Sequence, residues 1–91
     1  MNKKQFEKAV DIMNKAINLN SKNPDFYNNL GMCYSKMFKY DKANEIYQRG
    51  LDLDKNNLHI LNNLGNLKKD LDQTEEAVEI YKKILSIQPN A

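Results

Sequence analysis

Three phrases of the chain, FEKAVDIMNKAINLN, YDKANEIYQRGLDLD and TEEAVEIYKKILSIQ, superpose without a gap at intervals of 34 residues. Ala9, Ala43 and Ala77 coincide, as do Ile12, Ile46 and Ile80, and Met13, Tyr47 and Tyr81. A second echo, YNNLGMCYSK and LNNLGNLKKD, keeps the same step and aligns Leu30 with Leu64 and Gly31 with Gly65. A fixed period of this length marks a repeat architecture, in which no unit buries its own apolar face and the core closes only by stacking neighbours. The 91 residues cannot house two independent cores. A single array of stacked units is the expected organisation.

Each unit reads as two helices. Tyr40, Ala43, Ile46, Tyr47 and Leu51 recur at spacings of three and four, which places them on one helical face. Phe26, Tyr27, Leu30, Cys33, Tyr34 and Met37 do the same in the segment before. Asn23-Pro24 predicts a helix start, with Asn as cap and Pro at the first position, where its missing N–H costs nothing. Asp72 is expected to cap the last helix and Glu75 to complete a capping box. Three glycines, two prolines and no Asn-Gly or Asp-Gly pair leave little turn chemistry for hairpins, so the fold is expected to be all-α.

These residues carry a resemblance to the tetratricopeptide repeat (TPR), whose unit is 34 residues and two antiparallel helices with small residues at fixed places. Leu30, Gly31, Tyr34, Ala43 and Tyr47 fill family positions in one repeat, and Leu64, Gly65, Ala77, Tyr81 and Pro89 in the next. The resemblance implies a right-handed α-solenoid of antiparallel helix pairs, the TPR superhelix, with five helices. In its frame residues 1–91 form one array: 1–23 a half repeat supplying a second helix only, 24–57 a full repeat, and 58–91 another. Some positions depart from the pattern. Gly50 stands in place of alanine, Lys55 and Ser21 in place of the terminal proline, Lys68 in place of an aromatic, and Phe38 and Asp72 in place of the inter-helix glycine. Gly50 is expected to weaken its helix by ~1 kcal/mol. Lys68 is expected to bury only its stem. Gly31 and Gly65 are expected to admit a neighbouring helix.

The composition narrows the function class. The net charge of +2 is interspersed along the chain, without the basic stripe of a nucleic-acid binder, so no nucleic-acid partner is expected. Thirteen lysines against one arginine, with asparagine about as abundant as lysine, read as codon bias. No apolar run nears the ~20 residues of a membrane span, and Glu7 and Asp11 interrupt the would-be apolar part of a signal peptide. With Cys33 alone and no internal disulfide possible, a cytoplasmic or other reducing compartment is expected. One His and one Cys make no metal site, the three glycines are isolated, and no nucleophile has a base beside it. Neither catalytic residue, metal nor cofactor is assigned, and a non-enzymatic chain is expected. The tyrosines are read as packing between helices rather than as a platform for bases.

By the same resemblance, the first helix of each repeat lines a concave peptide-binding groove. The residues expected there are Asp25, Asn28, Asn29, Met32, Ser35 and Lys36, then His59, Asn62, Asn63, Asn66, Lys69 and Asp70. This surface is amide-rich and nearly neutral, and asparagine offers both an acceptor and donors to a peptide main chain. The second full repeat is similar to the array of O-linked N-acetylglucosamine transferases, in which an asparagine before the conserved Leu contacts substrate backbone. That resemblance gives Asn29 and Asn63 the contact, with Asn66 nearby. A family branch that clamps the acidic tails of chaperones uses basic residues where this chain has Asp25, His59 and Asn63.

The leading expectation is a protein-interaction scaffold that binds a peptide or partner helix, as part of a longer TPR protein. The alternatives are the substrate-recognition segment of a glycosyltransferase and a self-associating structural array. Self-association is expected to use the free face of the last helix, Ile80, Ile84 and Ile87, and an unpartnered face of the first, Phe6, Val10, Met13 and Ile17.

Overall fold

The structure is a computed structural model and describes residues 2–90. Five helices follow one another: α1 (Lys3–Leu19), α2 (Pro24–Lys36), α3 (Tyr40–Leu53), α4 (Leu58–Asp70) and α5 (Thr74–Ile87). No strand occurs among the described residues. Short connections make successive helices neighbours. α2 packs on α3 and α4 on α5, α1 leans on α2, and thinner contacts join α3 to α4 and α2 to α4. The result is the all-α solenoid that the 34-residue period predicts.

Two kinds of connection alternate. Those entering α2 and α4 end in asparagine caps: Asn23 Oδ1 accepts from Asp25 N–H at 3.0 Å, and Asn57 Oδ1 from Ile60 N–H at 3.0 Å. Pro24 is the first residue of α2, as its pairing with Asn23 predicts. α1 opens on a capping box that Asn2 and Gln5 form reciprocally. The turns α2–α3 and α4–α5 instead close by Schellman bonds, Lys39 N–H to Tyr34 O at 2.9 Å and Gln73 N–H to Lys68 O at 2.8 Å. Each needs one residue in the left-handed region, and the positions fall to Phe38 (φ 62) and Asp72 (φ 59).

The expected capping box of Asp72 and Glu75 therefore does not form. Asp72 is used as the left-handed residue that ends α4, the cap position of α5 passes to Gln73, and no side chain bonds there. Asp is among the residues that tolerate this conformation, whereas a bulky Phe is strained in it by ~1–2 kcal/mol.

The core follows the repeat. Ala43, Tyr47, Ile60, Leu64 and Leu67 form one buried cluster, and Tyr27, Leu30 and Ile46 another. Val10, Met13 and Ile17 pack against the second cluster, so α1's apolar face is not unpartnered as expected. On α5, Ile80 packs against the first cluster and Ile84 is half-buried. The exposed apolar side chains of that helix are Val78, Leu85 and Ile87.

Glycine sets the closest approaches. A Cβ on Gly31 would lie 2.6 Å from Tyr47 Cδ1, and one on Gly65 2.9 Å from Tyr81 Cε1. Each tyrosine of the second helix thus rests on a glycine of the first. Gly50 is also a packing site rather than only a weak point in its helix. A Cβ there would meet Ile60 Cδ1 at 2.7 Å and Tyr27 Cβ at 3.1 Å, so its bare backbone lets α4 seat against α3. Lys68 buries more than a stem. Its side chain is only 14% exposed, and its Nζ reaches Glu76 Oε2 at 2.9 Å across the α4–α5 pair.

Candidate interaction groove

The aligned first helices α2 and α4 bring many of the expected site residues onto one surface. Met32, Ser35 and Lys36 of α2 face Asn63, Asn66, Lys69 and Asp70 of α4 across a cavity of about 380 Å³. Its floor includes Tyr47 and Leu67. On the other side of α2 lies a second basin of about 440 Å³, lined by Phe6, Ala9 and Met13 of α1 and by Asn29, Met32, Cys33 and Lys36 of α2. Met32 and Lys36 line both, so the basins adjoin across the exposed ridge of α2. One end is polar and the other almost wholly apolar.

The asparagines are not equivalent. Asn63 Nδ2 donates to Asn28 Oδ1 at 2.8 Å, a half-buried bond that ties α4 to α2. Asn66 Oδ1 accepts from the Tyr81 hydroxyl at 2.6 Å, tying α4 to α5. Asn29 is exposed at the edge of the apolar basin. Asp25, His59 and Asn62 are exposed on the same helices but line neither basin. Part of the predicted amide row therefore serves the array itself, holding neighbouring helices in register.

Two titrating groups lie at the base of the groove. Burial raises the Tyr47 phenol to about 12, with the nearby Cys33 adding to the shift, so Tyr47 is a neutral floor residue. Burial also raises the Cys33 thiol above its ordinary value. That is the opposite of what a nucleophilic cysteine needs. Cys33 is half-buried rather than fully enclosed, and it is one of the residues lining the apolar basin. No group of three metal-ligating side chains occurs among the described residues.

The α1 side of the site lies outside the residues that helix faces in α2 and α4 single out. Phe6, Ala9 and Met13 belong to α1, outside the helices to which the resemblance confines the groove. The signal was present in the period: Ala9 and Met13 correspond to Ala43 and Tyr47, the residues that α3 turns toward α2.

Comparison with known proteins agrees with this architecture. Residues 26–90 match a family model described as tetratricopeptide repeat, and residues 1–23 match a second model of that description. Among solved structures, the Arabidopsis OM64 TPR domain superposes with a TM-score of 0.86 at 25% identity, over 97% of this chain and 73% of that one. The first TPR of Spaghetti (RPAP3), bound to the HSP90 peptide SRMEEVD, gives a TM-score of 0.88 at 22% identity, over 94% of this chain and 70% of that one. A MamA protein gives 0.81 at 30% identity, and there the match covers 89% of this chain but only 44% of MamA. No curated protein sequence matches the chain. No helix among the described residues is long and apolar enough to cross a membrane. With its period, its helix pairs and a family model spanning residues 26–90 in agreement, the chain belongs to the tetratricopeptide repeat family.

Proposed function

We propose that the chain is a protein-interaction module whose concave surface holds a helix of a partner protein. The observation that carries this reading is the apolar basin between α1 and α2. Ala9 and Met13 stand one period before Ala43 and Tyr47, and Tyr47 is the residue that receives the bare backbone of Gly31. α1 thus turns toward the basin the side that α3 turns toward a packed helix. A partner helix with a small residue over Met13 fits there, its flank reaching the polar basin at Asn63, Asn66 and Lys69. Helix-in-groove recognition of this kind uses apolar anchors at helical spacing.

An extended peptide held by an asparagine ladder is less favoured. Asn63 spends one N–H on Asn28, and the Tyr81 hydroxyl engages one lone pair of the Asn66 carbonyl, so both side chains are oriented by the array before any peptide arrives. The transferase-type reading rests on that same ladder and gains nothing further from the groove. A structural neighbour holds an HSP90 peptide, which supports a protein segment as the class of ligand.

Site-specific photo-crosslinking tests the proposal. A benzophenone side chain placed at Met32, in the groove, should capture the partner from cell extract. The same group at Gln48, exposed on α3, should not. With the partner in hand, Asn29→Ala together with Met32→Lys should weaken binding by about tenfold or more. Equal capture from both positions, or an unchanged affinity, would place the interface elsewhere.

A further inference from the structure

The α2–α3 turn differs from its counterpart one period later in a way that turn geometry does not require. Both turns need a left-handed residue, and Asp72 supplies it in the second at φ 59. In the first the residue is Phe38, at φ 62 and 78% exposed. The flanking charges differ too. Lys36, Lys39 and Lys42 of the first turn correspond to Asp70, Gln73 and Glu76 of the second. One chain therefore displays a basic, aromatic turn and an acidic one on the same scaffold.

Phe38 stands between two recesses. One, of about 390 Å³, has Phe6, Met37 and Phe38 as its apolar lining and Lys3, Lys36 and Lys39 around it. The other, of about 480 Å³, lies between Phe38 and Tyr40, with Lys39, Lys42 and the single carboxylate Asp41. The two rings meet edge to face, with centroids 6.1 Å apart. Lys42 lies 3.9 Å from Glu45, an exposed contact too weak to neutralise it in water. An apolar recess ringed by lysines takes a ligand that is acidic outside and apolar at one point. A charged residue in place of Phe38 would satisfy the turn at lower cost, as Asp72 does.

We infer that the α2–α3 turn is a second binding site, adjoining the groove proposed above at Phe6 and Lys36, for an acidic protein segment that inserts an aromatic or long aliphatic side chain beside Phe38. Charge complementarity supplies the attraction and the recess supplies the selectivity. A protein segment suits the site better than a flat anionic surface, because recesses of about 390 and 480 Å³ flank Phe38 and offer an inserted side chain room.

The test uses a fluorescein-labelled peptide, Asp-Glu-Leu-Phe-Asp-Asp, and fluorescence anisotropy on the whole chain. The double variant Phe38→Asp with Lys39→Gln copies residues that the second turn already carries, so the helices should be retained and circular dichroism checks this. The expected result is affinity lower by about tenfold in the variant, and by a similar factor when Ser replaces both Leu and Phe in the peptide. Equal binding by wild type and variant overturns the site. Equal binding of the Ser peptide overturns the insertion. A salt-sensitive dimer in sedimentation that the double variant abolishes would assign the turn to a second copy's acidic α4–α5 turn instead. Binding to phosphatidylserine vesicles in preference to the peptide would assign it to a membrane. Either of these last results overturns the inference as well.

Discussion

Replacing Gly31 by alanine sets two known effects against each other at one atom. In a helix interior the change ordinarily stabilises by about 1 kcal/mol, because glycine gives up more backbone freedom on folding. Here the new Cβ would come within 2.6 Å of Tyr47 Cδ1 and within 2.9 Å of Cζ. Tyr47 is 2% exposed and is the largest fully buried side chain of the core. The ring is almost fully enclosed and can yield only toward the groove, and overpacking of this kind costs about 1–3 kcal/mol. Because the ring is so enclosed, we expect the upper part of that range and a net loss of about 1–2 kcal/mol. In a chain of this size that lowers Tm by about 5–15 °C.

Gly65→Ala is the internal control. Its Cβ would meet Tyr81 Cε1 at 2.9 Å, but Tyr81 is only half-buried and can swing outward, so the two effects should nearly cancel. Urea denaturation followed by helical circular dichroism measures both. In a Tyr47→Leu background the Gly31→Ala cost should turn into a gain, a coupling of about 2–3 kcal/mol between the two positions. A neutral or stabilising Gly31→Ala in the wild type, or the same cost in both backgrounds, would show that the ring is not what excludes the methyl group.

Four further outcomes follow from the same geometry. Folding raises the Tyr47 phenol from 10.0 to about 12, so the folded chain holds that proton more tightly than the unfolded one. Stability from this group should be intact below pH 10 and lost as pH rises toward 12, and Tyr47→Phe should remove that part of an alkaline unfolding profile. Cys33 should react with Ellman's reagent more slowly in the folded chain than in urea, since burial raises its thiol and the residue is half-buried; equal rates would contradict this. Phe38→Asn should raise stability by about 0.5–1 kcal/mol, by relieving the left-handed strain of an exposed aromatic residue, and a loss in thermal unfolding would refute it. Peptides ending in Glu-Glu-Val-Asp should bind in calorimetry no better than scrambled ones, because the family resemblance implies that Asp25 and His59 stand where an acidic-tail clamp uses lysine.

The period made the fold legible because every position that builds the stack recurs: alanine, tyrosine and glycine keep their 34-residue spacing and their partners. Positions that do not recur were harder to read. Asp72 has both the composition of an N-cap and that of a left-handed turn residue, and only the Schellman bond from Gln73 decides between them. The asparagines were identified by residue type and helix face. Their division of labour depends on neighbours in space, since Asn63 finds Asn28 35 residues away and Asn66 finds Tyr81. The α1 wall of the groove is hard to read because its apolar residues look equally like a free end. In the fold they serve two neighbours at once, the core on one side and the basin on the other.

Burial is concentrated in the middle of the stack. α3 contributes Ala43, Ile46, Tyr47 and Gly50 to the interior and α4 five residues, whereas α5 contributes only Ala77 and α1 none. Because each helix leans only on those beside it, opening at an end need not propagate, and α1 should exchange its amide hydrogens well before α3. The proposed groove partner would clasp this fraying helix, so its arrival should slow exchange in α1 while α5 is left as before. Recognition and ordering of α1 would then be one event, and affinity would depend on how often α1 is already closed.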